Sequence, residues 1–323
     1  MSQATSAHPP VELSADERAE LLAALSAPLP SIPSRYLYDD HGSALFEQIT
    51  DLPEYYQTRT ERQILETEAD RILEATNAVH LGELGSGAGR KIGLLVEAAQ
   101  RREACRSLTL LDINASFLQQ SVRSLQQRYP DVDVRGVVGR FTQDLDRFGE
   151  GGRRLIAFFG STIGNFHPSQ IVPFLRRLAD ITGPTDSLLV GFDLVKDVRI
   201  LEAAYNDSAG VTAAFNLNIL RVFNRATGAD FDPDAFEHVA FYDPDNRWIE
   251  MRLRATRPVR ATVPAISWVR DFDVGDELRT EVSCKYDQRF VQAYAEAAGL
   301  HLSAWFTDPD QLFALAVLRR EVT

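Results

Sequence analysis

Between residues 79 and 192 the chain repeats one unit several times: a short apolar segment, a turn and an amphipathic helical segment. Short apolar segments of this kind are typical of parallel strands buried on both faces, and the helices between them are the crossovers that parallel strands require. The pattern therefore predicts an α/β fold with a doubly wound, Rossmann-like sheet. The predicted strands are 79–84, 108–111, 132–138, 155–159 and 187–192.

The segment before this repeat predicts short helices. Ser14 begins a Ser-x-x-Glu capping box, which predicts a helix that runs to about Ser26. The prolines that follow exclude a helix, and the aromatic-rich segment 36–56 is typical of short helices and loops. A charged amphipathic helix then starts near Thr60. Residues 1–13 are polar and contain two prolines, and they predict a flexible tail.

The pattern changes after Lys196. Residues 204–228 predict a helix, whereas 247–256 and 266–274 alternate apolar and polar residues as antiparallel strands do. The end of the chain returns to the first pattern, with a helix at 290–299 and strands at 301–308 and 312–320 that we expect to add an antiparallel edge to the sheet. These changes predict two domains, an inserted α+β domain formed by 14–60 plus 197–285 and the sheet domain formed by 61–196 plus 286–323.

Charge and composition exclude several classes of function. The chain has 46 Asp and Glu against 34 Lys and Arg, a net charge of −12, which argues against a nucleic-acid-binding surface. It contains no apolar run long enough to cross a membrane, and its first residues do not resemble a secretion signal. Cys105 and Cys284 are too few for a disulfide framework and are expected to be small buried hydrophobic residues. We expect a cytoplasmic protein without membrane or nucleic-acid partners.

Metal binding and self-association are not predicted. The six histidines are scattered and form no His-Glu-x-x-His motif, so we expect no metal site. No heptad pattern or apolar stripe indicates a partner helix, so we expect a monomer.

A glycine-rich turn follows the first predicted strand. Gly85, Gly87 and Gly89 have the spacing G-x-G-x-G, and Arg90 stands where a dinucleotide-binding turn would need a further glycine. Asp112 ends the next strand, where its carboxylate can accept hydrogen bonds from both hydroxyls of a ribose. The acidic Glu83 before the turn suits a cationic group. Together these features favour S-adenosylmethionine over NAD as the cofactor, with Ser86 in the same turn.

Several longer strings resemble one known family. The sequence is similar to the histidine-specific S-adenosylmethionine methyltransferases from about residue 34 to the C-terminus. The similar strings are YDDHGSALFEQITDLPEYYQTRTE, ELGSGAGRK, FFGSTIGNF, SLLVGFDLVKD, AYNDSAGVTAAFNLNIL, FDPDAFEHVAFYD, WIEMRLRA and TEVSCKY. Because whole strings match in order, the resemblance is far more specific than the glycine turn alone.

The resemblance implies a class I methyltransferase fold, with an inserted substrate-binding domain, that trimethylates the α-amino group of L-histidine to hercynine. It places Lys91, which otherwise reads as a solvated surface lysine, on the cofactor together with Gly85 and Asp112. On the histidine side it implies Tyr55, Asn165, Tyr205, Glu281 and Ser283, with Val282 between the last two and with Tyr38, Phe46, Gly160 and Met251 lining the pocket.

The chemistry of these residues agrees with that implication. Tyr55, Asn165 and Tyr205 can each donate a hydrogen bond to an amino acid carboxylate. Glu281 can accept from one imidazole nitrogen and Ser283 can serve the other, since alternate residues of a strand share a face. On spacing alone, a surface strand carboxylate is the favoured interpretation of Glu281. We expect Asn165 to orient the amine and carboxylate, with a loop cap as the alternative, and Tyr38 to accommodate the methylated ammonium.

One departure from the family concerns adenine. Relatives usually carry an acidic residue before a phenylalanine at the end of the third strand, whereas this chain has Arg140 before Phe141. An arginine cannot accept a hydrogen bond from the adenine amino group, although the Phe141 backbone N–H remains available. We expect a weakened or rearranged adenine contact. The alternatives are a methyltransferase for another amino acid or small amine, and a non-catalytic S-adenosylmethionine-binding protein.

Overall fold

A computed structural model describes residues 13–148 and 152–321, so the predicted tail lies almost wholly outside the described residues. The described chain divides into two compact units. The first unit contains 13–54, 199–243 and 249–281, and the second contains 55–198, 244–248 and 282–321. The roles predicted for the two domains stay predictions.

The helices and strands are numbered in chain order. The helices are α1 Ala15–Leu25, α2 Asp40–Thr50, α3 Tyr56–Thr76, α4 Arg90–Arg101, α5 Ala115–Arg128, α6 Pro168–Ile181, α7 Val198–Ala203, α8 Val211–Thr227 and α9 Gln288–Ala297. The strands are β1 His80–Leu84, β2 Ser107–Asp112, β3 Asp133–Val138, β4 Arg154–Phe158, β5 Ser187–Asp193, β6 Phe236–Asp243, β7 Trp248–Ala255, β8 Val259–Val263, β9 Trp268–Phe272, β10 Glu277–Cys284, β11 Leu300–Thr307 and β12 Phe313–Arg320.

The second unit is built on a seven-stranded sheet with the order β11-β12-β5-β4-β1-β2-β3. Strands β1 to β5 pair in parallel, and β12 and β11 add an antiparallel edge. Every residue of β5 is buried, as expected of a strand covered on both faces. The predicted α/β class and all five predicted parallel strands are confirmed.

The first unit combines helices with two small sheets. Strands β10, β7 and β6 form one sheet, and β8 pairs antiparallel with β9 in the other. The predicted strands at 247–256 and 266–274 correspond to β7 and β9. At the start of the unit, the predicted capping box is present, since the Ser14 side chain accepts from the backbone of Glu17 and the Glu17 side chain accepts in return.

Two predicted helix bounds were wrong. Helix α3 starts at Tyr56, four residues before the predicted start, and Tyr56 and Gln57 are buried there. The predicted helix over 204–228 is interrupted: α8 begins only at Val211, after an Asp207 carboxylate that accepts hydrogen bonds from the first backbone N–H groups of the helix. An aspartate at that position stabilises a helix start and so ends the preceding segment.

The remaining expectations concern the cysteines, membrane-spanning helices and metal binding. Cys284 is buried as predicted, whereas Cys105 is only half-buried. None of the helices within 13–148 and 152–321 combines the length and apolar character that crossing a bilayer demands. In the same residues, no three His, Cys, Asp or Glu side chains are grouped so that they can hold a metal ion.

Candidate active site

The glycine turn joins β1 to α4 in the second unit. Gly85, Gly87 and Gly89 all have positive φ, between 50° and 67°, a conformation that L side chains rarely adopt. The backbone N–H of Gly87 donates to Asp112 Oδ2 at 2.9 Å. The predicted cofactor residues of β1 and β2 are therefore held together at the carboxyl edge of the sheet, where doubly wound folds bind ligands.

Asp112 keeps hydrogen-bonding capacity for a ligand. Its Oδ1 atom accepts from the backbone N–H of Asn114 at 2.9 Å, in addition to the bond that Gly87 gives to Oδ2. A carboxylate offers about four lone-pair sites, so each oxygen can accept once more. The two backbone bonds hold the carboxylate in place and leave lone pairs for the ribose contact expected from the sequence.

Two buried polar atoms at this turn have no hydrogen-bond partner among the described residues. They are Glu83 Oε2 and Ser86 Oγ, and both side chains are at least 94% buried. Burial raises the pKa of the Glu83 carboxyl well above its usual range; Lys91 opposes the shift, whereas Glu61 and Asp112 reinforce it. Buried polar groups are normally paired, so these two atoms indicate a ligand that can hydrogen-bond to them.

Lys91 is not a solvated surface lysine. It lies in the first turn of α4, and its Nζ atom donates to Glu61 Oε2 at 2.6 Å. The Glu61 side chain is fully buried in α3 and also accepts from the backbone N–H of Gly160, at 2.9 and 3.0 Å. One carboxylate thus holds both the predicted cofactor lysine and a predicted lining residue of the substrate pocket.

Phe141 faces the glycine turn from the segment after β3. Its ring would lie 3.6 Å from a Cβ atom added to Gly85, and it packs edge-on against Phe158, with a centroid distance of 5.0 Å. The neighbouring Arg140 donates its backbone N–H to Asp144 Oδ2 at 2.8 Å. Phe141, whose backbone N–H was expected to contact the adenine, therefore lies beside the glycine turn.

Asn165 ends a 3-10 turn, Thr162–Asn165, that follows β4. The N-cap of that turn is Ser161 and the C-cap is Phe166. A Cβ atom on Gly164 would lie 3.0 Å from the Cys284 carbonyl oxygen. The turn that carries Asn165 therefore packs directly on Cys284, a residue of the same unit.

Ser283 is buried at the end of β10. Its Oγ atom accepts a hydrogen bond from Lys285 Nζ at 2.8 Å, and Lys285 is paired with Asp193 at 2.9 Å. Sequence analysis did not identify Lys285 or Asp193. Tyr55, by contrast, was identified; it is a buried residue at the start of α3, and its carbonyl accepts from Arg59.

Tyr38 and Phe46 belong to an aromatic cluster of the first unit. Both rings also approach Phe215 of α8, and the three centroid distances lie between 5.5 and 6.0 Å. Phe215 was not identified from sequence, although the helical spacing of α8 places it on the buried face. Such ring faces are suitable neighbours for a quaternary ammonium group.

In the first unit, the backbone carbonyl of Tyr205 forms a hydrogen bond with a histidine side chain. Its carbonyl lies 2.9 Å from His238 Nε2, and His238 Nδ1 lies 2.9 Å from Asn216 Nδ2. Burial lowers the pKa of His238, against the opposing effects of the Tyr205 carbonyl and of Asp207. The neutral imidazole can donate to the carbonyl and accept from the amide, which is the pairing that the geometry requires.

Glu281 and Met251 are buried as well. Glu281 is 9% exposed on β10, which contradicts the alternative of a surface carboxylate, and Met251 is 2% exposed on β7. The Met251 carbonyl accepts from Thr280, the residue before Glu281. Val282, between Glu281 and Ser283, is half-buried.

Comparison with known proteins identifies the family. The sequence model of one protein family, the SAM-dependent histidine-specific methyltransferases, matches residues 17–320. The chain belongs to this family. It is 46% identical over 313 residues to the histidine N-alpha-methyltransferase of Mycolicibacterium smegmatis, covering 95% of this chain and 98% of that protein. The Mycobacterium tuberculosis protein of the same name is 44% identical over 300 residues, covering 93% and 94%.

Two further proteins show a weaker similarity, one in sequence and one among solved structures. Ergothioneine biosynthesis protein 1 of Schizosaccharomyces pombe is 35% identical over 226 residues, which are 66% of this chain and 29% of that protein. The match to the solved structure of the CcbJ methyltransferase from Streptomyces caelestis covers 79% of this chain and 95% of that one. Its TM-score is 0.47, and the two sequences are 16% identical.

The methyltransferase uses S-adenosylmethionine, and the glycine turn fits this cofactor. The Glu83 and Ser86 oxygen atoms that lack partners can accept hydrogen bonds, which the amino and hydroxyl groups of S-adenosylmethionine can donate. Asp112 keeps lone pairs for the hydrogen bonds that the expected ribose contact needs. Acidic groups lie close together here, since Glu61 and Asp112 both raise the pKa of Glu83 and Lys91 opposes them, and such a site suits a cationic ligand.

The residues that sequence analysis missed stabilise the residues that it found. Glu61 holds Lys91, Lys285 holds Ser283, Phe215 packs on Tyr38, and His238 holds Tyr205. A local pattern could have indicated only Phe215, through its helical spacing. The other contacts join residues far apart in the sequence.

Proposed function

We propose that this methyltransferase transfers three methyl groups in succession from S-adenosylmethionine to the α-amino nitrogen of L-histidine and so forms hercynine, the first step of ergothioneine biosynthesis. The observation that carries this proposal is the identity of 46% with a histidine N-alpha-methyltransferase over almost the whole of both chains. The buried polar residues of both units support the same chemistry.

On the cofactor side, we assign Gly85, Ser86 and Gly87 to close backbone contact, Asp112 to the ribose and Glu83 to the cationic end. Lys91 suits the carboxylate of the methionine moiety. Arg140 and Phe141 are assigned to the adenine. When bound, S-adenosylmethionine supplies an electrophilic methyl group on a positively charged sulfur.

The carboxylate of histidine is assigned to Tyr55, Asn165 and Tyr205, which can each donate a hydrogen bond. Tyr55 and Tyr205 are each 8% exposed, so their hydroxyl groups act where water competes little. Asn165 lies on the turn after β4, and its amide can also accept from the α-amino group. We assign it to the orientation of both groups.

The imidazole is assigned to Glu281 and Ser283, with Val282, Gly160 and Met251 lining the pocket. Glu281 accepts from the ring N–H, and Ser283 contacts the other ring nitrogen. A site that hydrogen-bonds both nitrogens discriminates against side chains that lack them, because its buried polar groups would then be left unpaired.

Methyl transfer requires an uncharged amine whose lone pair points along the line of the breaking bond. Positioning and exclusion of water supply most of the rate in such a displacement, so no nucleophilic residue is needed. The methylated product is a fixed cation, and Tyr38 is assigned to it, supported by its cluster with Phe46 and Phe215.

The test is mass spectrometry of products from the purified protein, S-adenosylmethionine and an equimolar panel of L-histidine, L-tryptophan and histamine. We expect histidine alone to gain up to three methyl groups. Methylation of tryptophan or histamine instead would assign the enzyme to another acceptor and contradict the roles of Glu281 and Ser283. Cofactor binding without any product would indicate the non-catalytic alternative.

We also propose that the enzyme acts as a monomer in the cytoplasm. The support is its lack of a self-association pattern and its two unpaired cysteines, which suit a reducing compartment. Light scattering on a sizing column tests the first part, and fractionation of the native cells tests the second.

A further inference from the structure

A buried aspartate ends β5 in the second unit, and the chemistry above does not use it. The Asp193 carboxylate accepts from the Tyr56 hydroxyl at 2.7 and 2.8 Å and from Lys285 Nζ at 2.9 Å. It also accepts from Lys196. The Asp193 side chain is only 1% exposed. It therefore ties the start of α3 and the segment after β10 to the end of β5.

The backbone of Asp193 holds a third segment. Its N–H group donates to Ser161 Oγ at 2.9 Å. Ser161 is the N-cap of the turn Thr162–Asn165 and has a φ of 52°, in the left-handed region that residues other than glycine rarely adopt. The bond from Asp193 thus fixes the residue from which this turn starts.

Two of the three segments carry residues that we assign to the carboxylate of histidine. Tyr55 is the N-cap of α3, so its backbone moves with the helix start that the bond between Tyr56 and Asp193 holds. Asn165 ends the turn that Ser161 caps. A shift of a binding group by about 1 Å can cost an enzyme much of its rate, so the anchoring of these two segments matters for the substrate.

We propose that Asp193 is a positioning residue for the substrate, which aligns Tyr55 and Asn165 so that both can bind the carboxylate of histidine. This inference rests on the proposed function, in which these two residues bind that carboxylate. Asp193 acts only through its neighbours, since its carboxylate holds Tyr56 and its backbone holds Ser161. Because both contacts start from one residue of a buried strand, the sheet sets the separation of the two binding segments.

The charge of Asp193 strengthens the first of these contacts. Burial acts to raise the pKa of its carboxyl, but Lys285 and Lys196 outweigh burial and hold that pKa below its ordinary value. An ionised acceptor binds the Tyr56 hydroxyl more strongly than a neutral amide does. Asparagine at this position has nearly the same shape, and we expect it to loosen the start of α3.

The opposite end of β5 provides a matched control. Asp186 directly precedes the strand and is 1% exposed, and its carboxylate pairs with Arg154 at 2.7 Å. Arg154 is the first residue of β4. This ion pair therefore lies at the amino ends of the strands, whereas doubly wound folds bind their ligands at the carboxyl ends.

The first experiment compares Asp193→Asn with Asp186→Asn. Both variants should have a lower melting temperature, because each takes the anion away from a buried cation. We expect only Asp193→Asn to raise the KM for histidine, roughly tenfold, with the KM for S-adenosylmethionine within about twofold. An unchanged KM for histidine, or an equal rise in both variants, would show that Asp193 merely stabilises the sheet and would overturn the inference.

The second experiment keeps the test open if Asp193→Asn does not fold. Tyr56→Phe removes a single hydroxyl group, and we expect it to raise the KM for histidine roughly fivefold. In the Tyr55→Phe background the same change should alter that KM less than about twofold, because the hydroxyl to be aligned is already absent. Additive effects of the two changes would mean that Tyr56 does not act through Tyr55, which contradicts the inference.

Ser161→Gly tests the second segment. Glycine adopts a positive φ readily, so the turn can form while the acceptor for the Asp193 N–H group is removed. We expect the KM for histidine to rise roughly fivefold and the KM for S-adenosylmethionine to stay within about twofold. If the KM for histidine does not change, the turn does not depend on Asp193 and the inference is wrong.

Failure of this inference is distinguishable from failure of the proposed function. An unaltered enzyme that does not methylate histidine would refute the function itself. An enzyme that trimethylates histidine and whose Asp193→Asn variant keeps the same KM would refute only the role of Asp193.

Discussion

Glu61 Oε2 and Lys91 Nζ form a buried ion pair at 2.6 Å that connects α3 to the start of α4. The same carboxylate receives the backbone N–H of Gly160 after β4. A Cβ atom on Gly191 of β5 would lie 2.2 Å from Glu61 Oε1, so the sheet leaves room for this side chain only because glycine stands there. Lys91, which we assign to the cofactor, and the turn beyond β4 are thus positioned by one carboxylate.

We expect Glu61→Gln to lower the free energy of unfolding by about 3 kcal/mol, since removal of one partner strands the other charge in a largely buried place. The KM for S-adenosylmethionine should rise as well, because Lys91 loses the acceptor that orients it. Chemical denaturation and cofactor titration measure the two effects. Glu66→Gln, on the exposed side of α3 where it pairs with Arg62, is the control and should change stability by less than about 0.5 kcal/mol.

Glu83 provides a prediction about proton release. Burial raises the pKa of its carboxyl well above the usual range, so the free enzyme retains this proton at a higher pH than an exposed glutamate would. Binding of a cation beside the carboxyl favours its ionised form. We therefore expect S-adenosylmethionine to release protons on binding, and S-adenosylhomocysteine, which lacks the sulfonium charge, to release fewer.

Calorimetry in buffers of different ionisation enthalpy counts these protons. Glu83→Gln should abolish the difference between the two ligands, whereas Glu74→Gln, a 64% exposed carboxylate on α3, should preserve it. Equal proton release by the enzyme and by the Glu83→Gln variant would show that another group ionises.

His238 should make the stability of the enzyme depend on pH. Its pKa is lowered in the folded protein, so the unfolded chain binds the proton more tightly. The stabilisation is complete above the ordinary imidazole pKa of about 6.5 and is lost as the pH falls from there to the lowered value. A glutamine can donate and accept like the neutral ring, so His238→Gln should remove this dependence.

Melting curves recorded from about pH 7.5 to about pH 5.5 test this. We expect the stability of the enzyme to fall relative to that of His238→Gln as the pH decreases. His301→Gln, on β11, serves as the control and should follow the unaltered enzyme. A constant difference between the enzyme and His238→Gln would contradict the prediction.

Sequence patterns were sufficient for the sheet and for most elements around it. Short apolar segments separated by turns and amphipathic helices predicted strands β1 to β5, and the Ser-x-x-Glu pattern predicted the cap at Ser14. The interruption before α8 was missed, because Asp207 caps that helix although apolar residues continue on both sides. Local helix propensity does not show whether the chain continues as one helix or breaks and starts a new one.

The site was only partly predictable for a related reason. Glu83, Gly85 and Asp112 follow strands directly, and the topology of a doubly wound sheet brings such residues to one edge. Glu61 looks like one of many charges on an amphipathic helix, and only the packing of α3 on the sheet reveals its full burial. Lys285 and Asp193 meet only because Leu194 and Tyr286, their neighbours in sequence, pair side by side.

The last prediction concerns Arg140, where the resemblance to the family leads us to expect an acidic residue. Phe141 already faces Gly85, and the Arg140 backbone is fixed by Asp144, so a new side chain at position 140 would start from a defined place. We expect Arg140→Asp to supply an acceptor for the adenine amino group and to lower the inhibition constant of S-adenosylhomocysteine roughly fivefold. The inhibition constant of S-inosylhomocysteine, which has an oxo group in place of the adenine amino group, should not decrease.

The control is Arg123→Asp, on the exposed side of α5, which makes the same charge change away from the turn and should affect neither ligand. Equal tightening of both ligands by Arg140→Asp would show that net charge, and not a contact with the amino group, limits cofactor affinity.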